Sequence, residues 1–85
     1  MTVKWRKSFR KDFNQLTQKQ KKAWYKTWLL FRADPRCGKL RRHKLAGKYE
    51  GLDSIDVMPD LRALFFEEKE QYIFYFIGNH NKLYS

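Results

Sequence analysis

The hydrophobic positions near the start of the chain predict a short strand followed by a helix. Val3 and Trp5 alternate with basic residues, which is typical of a strand with one buried face. Ser8 is a candidate N-cap for the helix that follows. The apolar residues of this helix recur at the i, i+4 and i+7 positions of one helical face; they are Phe9, Phe13 and Leu16.

A second helix is predicted from Thr17 to about Ala33. Thr17, with Gln20 three residues later, has the spacing of a capping box, in which each side chain accepts a hydrogen bond from the other residue's backbone. The buried stripe predicted for this helix consists of Trp24, Trp28 and Phe31. Lysines occupy most of its remaining surface, so the pattern is amphipathic.

The second half of the chain has the patterns of a loop and then of β-structure. Residues 34–51 contain Pro and Gly without a sustained period, which predicts a loop. Residues 52–58 alternate apolar and polar positions, and two strongly β-prone segments, 61–66 and 72–77, flank the charged turn "EEKEQ". We therefore predict an α+β fold of one strand, two helices and three antiparallel strands, with both helices on one face of a twisted sheet.

Length and composition indicate a single small domain spanning residues 1–85. The only cysteine, Cys37, cannot form an internal disulfide, and with His43 and His80 it makes no recognised zinc spacing. We expect no metal and no small-molecule cofactor. No apolar run approaches the roughly 18 residues of a membrane span, so we expect a cytoplasmic protein without a membrane partner.

The net charge of +10 is distributed unevenly along the chain. Residues 1–48 contain sixteen Lys or Arg and two Asp, a net charge of +14, whereas residues 49–85 carry −4. A basic half of this kind favours a polyanionic partner, most commonly nucleic acid. An anionic membrane surface or an acidic protein would satisfy the same electrostatics.

Three polar side chains of the C-terminal half are candidates for catalysis. Asp60 and Arg62 lie at the start of one hairpin strand, and His80 lies just beyond the end of the other. Antiparallel pairing should bring these two ends together. His43 and the basic loop add a further possible acid or base and further cations to the same site. A histidine, a carboxylate and a cation suffice to cleave RNA without a metal, because the 2′-hydroxyl is an internal nucleophile that DNA lacks. Alternatively, Asp60 only caps a turn and His80 is an ordinary surface histidine.

Three segments carry a resemblance to a known family: "HKLAGKYEG", "DVMPDLRALF" and "IGNHNKLY". In this order and spacing they resemble the RelE/ParE toxin superfamily of bacterial toxin–antitoxin systems, most closely its YafQ-like branch. The match covers residues 43–84. The resemblance implies a RelE-like fold and a ribosome-dependent messenger-RNA endonuclease, with the ribosome, mRNA and a cognate antitoxin as partners.

The resemblance also implies roles for individual residues. His80 and Asp60 match the family's C-terminal catalytic histidine and the aspartate after the proline. Arg62 matches a phosphate-stabilising arginine, His43 begins the Leu–x–Gly–x–aromatic loop, and Tyr84 occupies the aromatic position after the leucine.

The chain departs from the family pattern at two positions. Asp56 stands where YafQ-like toxins often have a histidine on the strand before the Pro–Asp turn, and Leu61 stands where an aromatic often follows the aspartate. Asp56 is therefore an alternative acid–base partner of His80. The cations predicted to contact RNA phosphates are Lys39, Arg41, Arg42, Lys44 and Lys48, and Tyr84 is a further RNA contact.

Two other functions are compatible with the sequence. A ParE-like toxin would bind DNA gyrase without cutting RNA, but it has no need for a histidine, an aspartate and an arginine at one sheet edge. A noncatalytic basic module would bind ribosomal RNA or an acidic protein. Such a module would depend on the loop cations and would not depend on His80.

Overall fold

A five-stranded sheet with the strand order β1-β5-β4-β3-β2 forms the centre of the computed structural model, which describes residues 1–85. The strands are β1 (Thr2–Trp5), β2 (His43–Lys44), β3 (Asp53–Met58), β4 (Leu61–Glu68) and β5 (Gln71–Gly78). The helices are α1 (Lys7–Asn14), α2 (Gln18–Ala33) and α3 (His80–Tyr84), and 3₁₀ turns occupy Gly38–Leu40 and Gly47–Tyr49. No helix is both long enough and apolar enough to cross a membrane.

The architecture confirms the predicted α+β class and corrects its details. β1 pairs in parallel with β5, whereas the other three pairings are antiparallel. The prediction of a plain loop over residues 34–51 was wrong, because His43–Lys44 adds a fifth strand to the edge of the sheet. The third helix was also not predicted: it places His80 at the start of a helical turn and not in a terminal loop.

The two long helices begin differently from one another. At α2 the predicted capping box is confirmed: the Gln20 amide donates to Thr17 Oγ1 at 3.1 Å, and the Thr17 amide donates to Gln20 Oε1 at 2.9 Å. At α1 the predicted Ser8 cap was wrong, because Arg6 occupies the N-cap position without a side-chain cap. The Ser8 hydroxyl instead donates to the Tyr75 carbonyl and ties α1 to β5.

The core lies between the sheet and helices α1 and α2. At its centre Phe31 of α2 packs edge-on against Phe65 and Phe74, with ring centroids 5.2 Å apart in both contacts, and all three side chains are fully buried. A smaller cluster contains Leu64 and Leu83 and packs against Phe76. Since neighbouring strand residues face opposite sides of a sheet, this second cluster covers the face that α1 and α2 leave free.

The β4–β5 hairpin has a tighter turn than the pattern indicates. The strands continue through Glu68 and resume at Gln71, so the turn contains only Lys69 and Glu70. Both turn residues have positive φ, 50° and 64°, as in the type I′ turn whose twist matches that of a hairpin. The long hairpin fixes which residues of β4 and β5 meet at its open end.

Candidate active site

The open end of the β4–β5 hairpin brings together the residues that the sequence places far apart. Arg62 lies opposite Gly78 in the ladder. Asp60 lies in the turn before β4, and the backbone N–H of His80 donates to its Oδ1 at 3.4 Å. Antiparallel register therefore places Asp60, Arg62 and His80 at one edge of the sheet.

A small cavity of about 50 Å³ forms at this edge. Its lining consists of Asp60, Arg62, His80, Leu83 and Tyr84. The imidazole of His80 packs on the Tyr84 ring with centroids 4.9 Å apart and planes inclined by 32°. Both rings are exposed to solvent, so an imidazole that can accept and donate protons is open to an approaching ligand.

Asp56 lies between two arginines. It is directly opposite Arg62 in the β3–β4 ladder, with Arg62 Nε 3.3 Å from its Oδ1, and Arg41 Nε is 3.6 Å from its Oδ2. It does not line the His80 cavity. This geometry, in which one carboxylate lies between two guanidinium groups, suits a role for Asp56 in orienting the arginines.

A second, wider depression of about 490 Å³ adjoins the first. Lys39, Arg41 and Arg62 supply its cations, and Asp56 and Met58 also line it. Because Arg62 lines both cavities, the cationic surface is continuous from the loop to His80. Spaced cations of this kind match the phosphates of a nucleic-acid backbone.

Lys48 lies beside α3, in contact with Leu83, which lines the His80 cavity. Its ammonium group is 3.3 Å from the Leu83 carbonyl oxygen and 5.3 Å from the ring centroid of Tyr49. The Tyr49 hydroxyl donates to the same carbonyl, and its ring packs 5.4 Å from that of Tyr84. Sequence inspection did not identify Tyr49 as a support of the site, although it is the aromatic residue of the "LAGKY" loop.

His43 does not join His80 in the cavity. It lies on the edge strand β2 opposite Ser54, and its Nδ1 is 3.2 Å from the Arg41 carbonyl oxygen. The depression that His43 lines also contains Lys44 and is distinct from the His80 cavity. The structure therefore places the two candidate catalytic histidines in separate cavities.

Arg42 has a largely buried side chain that pairs with two carboxylates of the sheet. Its side chain is only 10% exposed, and its Nε donates to Asp53 Oδ2 at 2.7 Å while Nη2 donates to Glu67 Oε1. The guanidinium also lies 4.9 Å from the Phe65 ring centroid. Of the cations predicted to contact RNA, Arg42 is thus not free to do so.

The surroundings of Arg42 shift three pKa values. Burial opposes the charge of Arg42, but hydrogen bonds to Glu67 and Asp53 outweigh it and raise the Arg42 pKa. The hydrogen bond from Arg42 lowers the pKa of Glu67 below the usual carboxyl range. Burial, followed by the negative charge of Glu67, raises the pKa of Tyr72. These shifts belong to a stabilising cluster outside the candidate site.

No group of three or more His, Cys, Asp or Glu side chains has an arrangement that could hold a metal ion. At the hairpin end, the imidazole of His80, the carboxylate of Asp60 and the guanidinium of Arg62 are groups that can act in acid–base and electrostatic catalysis.

Solved structures of bacterial toxins share this fold. YafQ from E. coli strain BL21(DE3) superposes with a TM-score of 0.74 at 18% identity, covering 98% of this chain and 97% of YafQ. YafQ in the E. coli DinJ–YafQ toxin–antitoxin complex has a TM-score of 0.70 at 19% identity, covering 98% and 96%. The YoeB/ParE toxin from Agrobacterium tumefaciens has a TM-score of 0.73 at 16% identity, covering 94% and 99%.

The fold predicted from the resemblance to the RelE/ParE superfamily is therefore confirmed, and YafQ is among its structural neighbours. No family model matches the sequence, and no curated protein matches it significantly. At identities below 25% the likeness establishes the shared architecture. Activity has to be argued from the side chains at the hairpin end.

Proposed function

We propose that this chain is, over residues 1–85, a single-domain toxin of a type II toxin–antitoxin system that cleaves messenger RNA on the ribosome. The observation that carries the proposal is the convergence of Asp60, Arg62 and His80 in one solvent-open cavity. The fold shared with YafQ, a toxin, adds an argument by analogy.

The proposed reaction is a transesterification that needs no metal. The 2′-oxygen of the substrate forms a bond to the adjacent phosphorus as its proton passes to a base, and the bond from phosphorus to the 5′-oxygen breaks as that oxygen receives a proton. His80 exchanges one of these protons because an imidazole can both accept and donate a proton. Arg62 stabilises the charge on the crowded phosphorane. Asp60 is the candidate for the second proton transfer and also holds the backbone of His80.

The shape of the site supports a substrate presented by a larger body. A cavity of about 50 Å³ is well below the roughly 300 Å³ or more of a site that encloses a small ligand. An RNA strand would lie across this edge and would have to be held from outside. Ribosome-bound mRNA is such a substrate, and the cations of the adjoining depression would contact its phosphates or those of ribosomal RNA.

A cognate antitoxin is the second partner in this proposal. In the E. coli complex YafQ is bound by DinJ, and the exposed site of the present chain has no lid of its own. An acidic antitoxin segment would offset the +14 charge of residues 1–48 and could fold on binding. The proposed place of action is the cytoplasm, where ribosomes and mRNA meet.

The decisive experiment incubates purified protein with ribosome-bound mRNA and maps the cut ends. We expect the parent protein to cleave the mRNA and the His80→Ala variant to cleave it much more slowly. The product of an adjacent small gene should suppress cleavage by the parent protein. Toxicity with intact mRNA and inhibited DNA supercoiling would instead support the gyrase-inhibitor alternative, for which the likeness to a YoeB/ParE toxin is the structural argument. A folded protein with neither effect would overturn the toxin proposal.

A further inference from the structure

Asp12 is a buried acid on α1 that reaches the end of β5. It is 8% exposed, and its Oδ2 accepts a hydrogen bond from the backbone N–H of Ile77 at 3.1 Å. β1 pairs with β5 only as far as Trp5 opposite Phe74, so further along β5 no strand lies on this side. The carboxylate therefore takes the place of a strand neighbour just before the chain enters the candidate site.

The second oxygen of Asp12 faces α3. Oδ1 lies 3.4 Å from the Nζ atom of Lys82, which also donates to Gln15 Oε1 at 2.9 Å. The methylenes of Lys82 pack over Gly78, where an added Cβ would be 3.1 Å from Lys82 Cδ. Lys82 thus spans from α3 to α1, where its ammonium group contacts Asp12 and Gln15, and it does not line the His80 cavity.

Helix α3 needs such support because it contains only five residues. A single helical turn is unstable in isolation, since nucleation fixes several backbone dihedrals for one hydrogen bond. The Asn79 side chain caps the helix by accepting from the Lys82 amide at 2.8 Å, and Leu83 is buried beneath it. Neither of these contacts connects α3 to α1. The Asp12–Lys82 pair makes that connection.

We propose that Asp12 is a positioning residue for His80. One carboxylate holds the last part of β5 through Ile77 and holds α3 through Lys82, and His80 lies between these two attachment points. The pair therefore fixes the direction in which α3 leaves the sheet, and with it the placement of the imidazole over the cavity. The kinetic test of this inference rests on the proposed RNA cleavage, whereas its structural test does not.

Two variants separate the parts of this arrangement. Asp12→Asn keeps an oxygen that can accept from the Ile77 amide but loses the charge that pairs with Lys82. Lys82→Met keeps the methylenes over Gly78 but loses the ammonium group. We expect each to lower the cleavage rate at saturating ribosome concentration by about 10-fold with a change of less than about 2-fold in the half-saturating concentration. Since both remove one interaction, the double variant should be about as slow as either single variant.

A matched control is Asp34→Asn, which removes the same charge from an exposed position at the end of α2. It should cleave at the parent rate. Parent-like rates for Asp12→Asn and Lys82→Met, or fully multiplicative effects in the double variant, would overturn the kinetic part of the inference.

Amide hydrogen exchange tests the positioning without reference to activity. In both variants the Leu83 amide, which donates to the Asn79 carbonyl, should exchange at least about 10-fold faster, while amides in the middle of β4 keep their protection. Unchanged protection of α3, or an equal loss throughout the sheet, would contradict a local positioning role. If the parent protein does not cleave RNA, the proposed function fails, and this exchange pattern still decides whether Asp12 orders α3.

Discussion

The Nε atom of Arg62 lies 3.3 Å from Oδ1 of Asp56, directly across the β3–β4 ladder. The Arg62 side chain nevertheless remains 44% exposed and lines both adjoining cavities. An exposed ion pair adds little to stability because water and salt screen it. The Asp56–Arg62 pair instead has a geometric effect, because the Asp56 carboxylate orients the Arg62 guanidinium, which lines the candidate active site.

Asp56→Asn tests whether Asp56 orients Arg62 or transfers a proton. We expect cleavage to fall by about 10-fold, because Arg62 loses a charged partner, while the pH dependence of the rate keeps its form. The measurement is the rate constant of ribosome-bound mRNA cleavage across pH. Loss of one limb of the pH profile would instead identify Asp56 as an acid or base.

Replacement of His80 should have the largest effect on chemistry. His80→Ala should lower the cleavage rate by about 100-fold or more, because acid–base catalysis by one group contributes roughly that factor. His43→Ala is the matched control, and its effect should be smaller because His43 lies outside the cavity. Antitoxin binding and the thermal unfolding midpoint should stay near parent values. Parent-like cleavage by His80→Ala would refute histidine catalysis.

Charge reversal in the loop should weaken binding more than chemistry. Lys39 and Arg41 line the depression beside Arg62, so Lys39→Glu and Arg41→Glu should raise the half-saturating ribosome concentration and reduce its dependence on salt. Lys44→Glu provides a comparison, because Lys44 does not line this depression. Ribosome binding that is insensitive to salt and to both substitutions would exclude phosphate contacts by these cations.

Arg42→Glu should behave differently from its neighbour. It would place a carboxylate against Asp53 and Glu67 in a site where the native side chain is 10% exposed. We expect a loss of stability of about 3 kcal/mol or more, since both acids would lose their partner, together with loss of activity through unfolding. Chemical denaturation measures this change. A stable Arg42→Glu variant with weakened RNA binding would contradict the structural role.

The Arg42–Glu67 pair also predicts a pH dependence of stability. The pKa of Glu67 is lower in the folded protein than in the unfolded chain, so the unfolded state takes up a proton first as the pH falls. The stabilisation is complete above the ordinary carboxyl pKa of about 4.3 and is lost as the pH decreases through the lower folded value. Glu67→Gln should therefore flatten the acid side of the stability curve. An unchanged acid side would show that Glu67 contributes nothing to it.

The sequence by itself determined the elements whose signals are local. Thr17 and Gln20 specify the start of α2 because both partners of the capping box lie within one turn. The β-prone segments 61–66 and 72–77 around a charged turn located the hairpin strands, and antiparallel register then implied that Arg62 would meet the end of β5. The motifs around Asp60 and His80 pointed to the same edge, since they flank the two strands of that hairpin.

Only the tertiary structure decided which charges are free and which are bound. Arg41 and Arg42 are adjacent in sequence, yet Arg41 reaches the open depression while Arg42 is buried against Phe65. A loop gives no periodic signal from which these directions could be predicted. The role of Asp12 could not be predicted from the sequence either, because its partners Ile77 and Lys82 lie 65 and 70 residues away along the chain. Contacts at such separations arise from the packing of α1 on the sheet, which local sequence patterns do not encode.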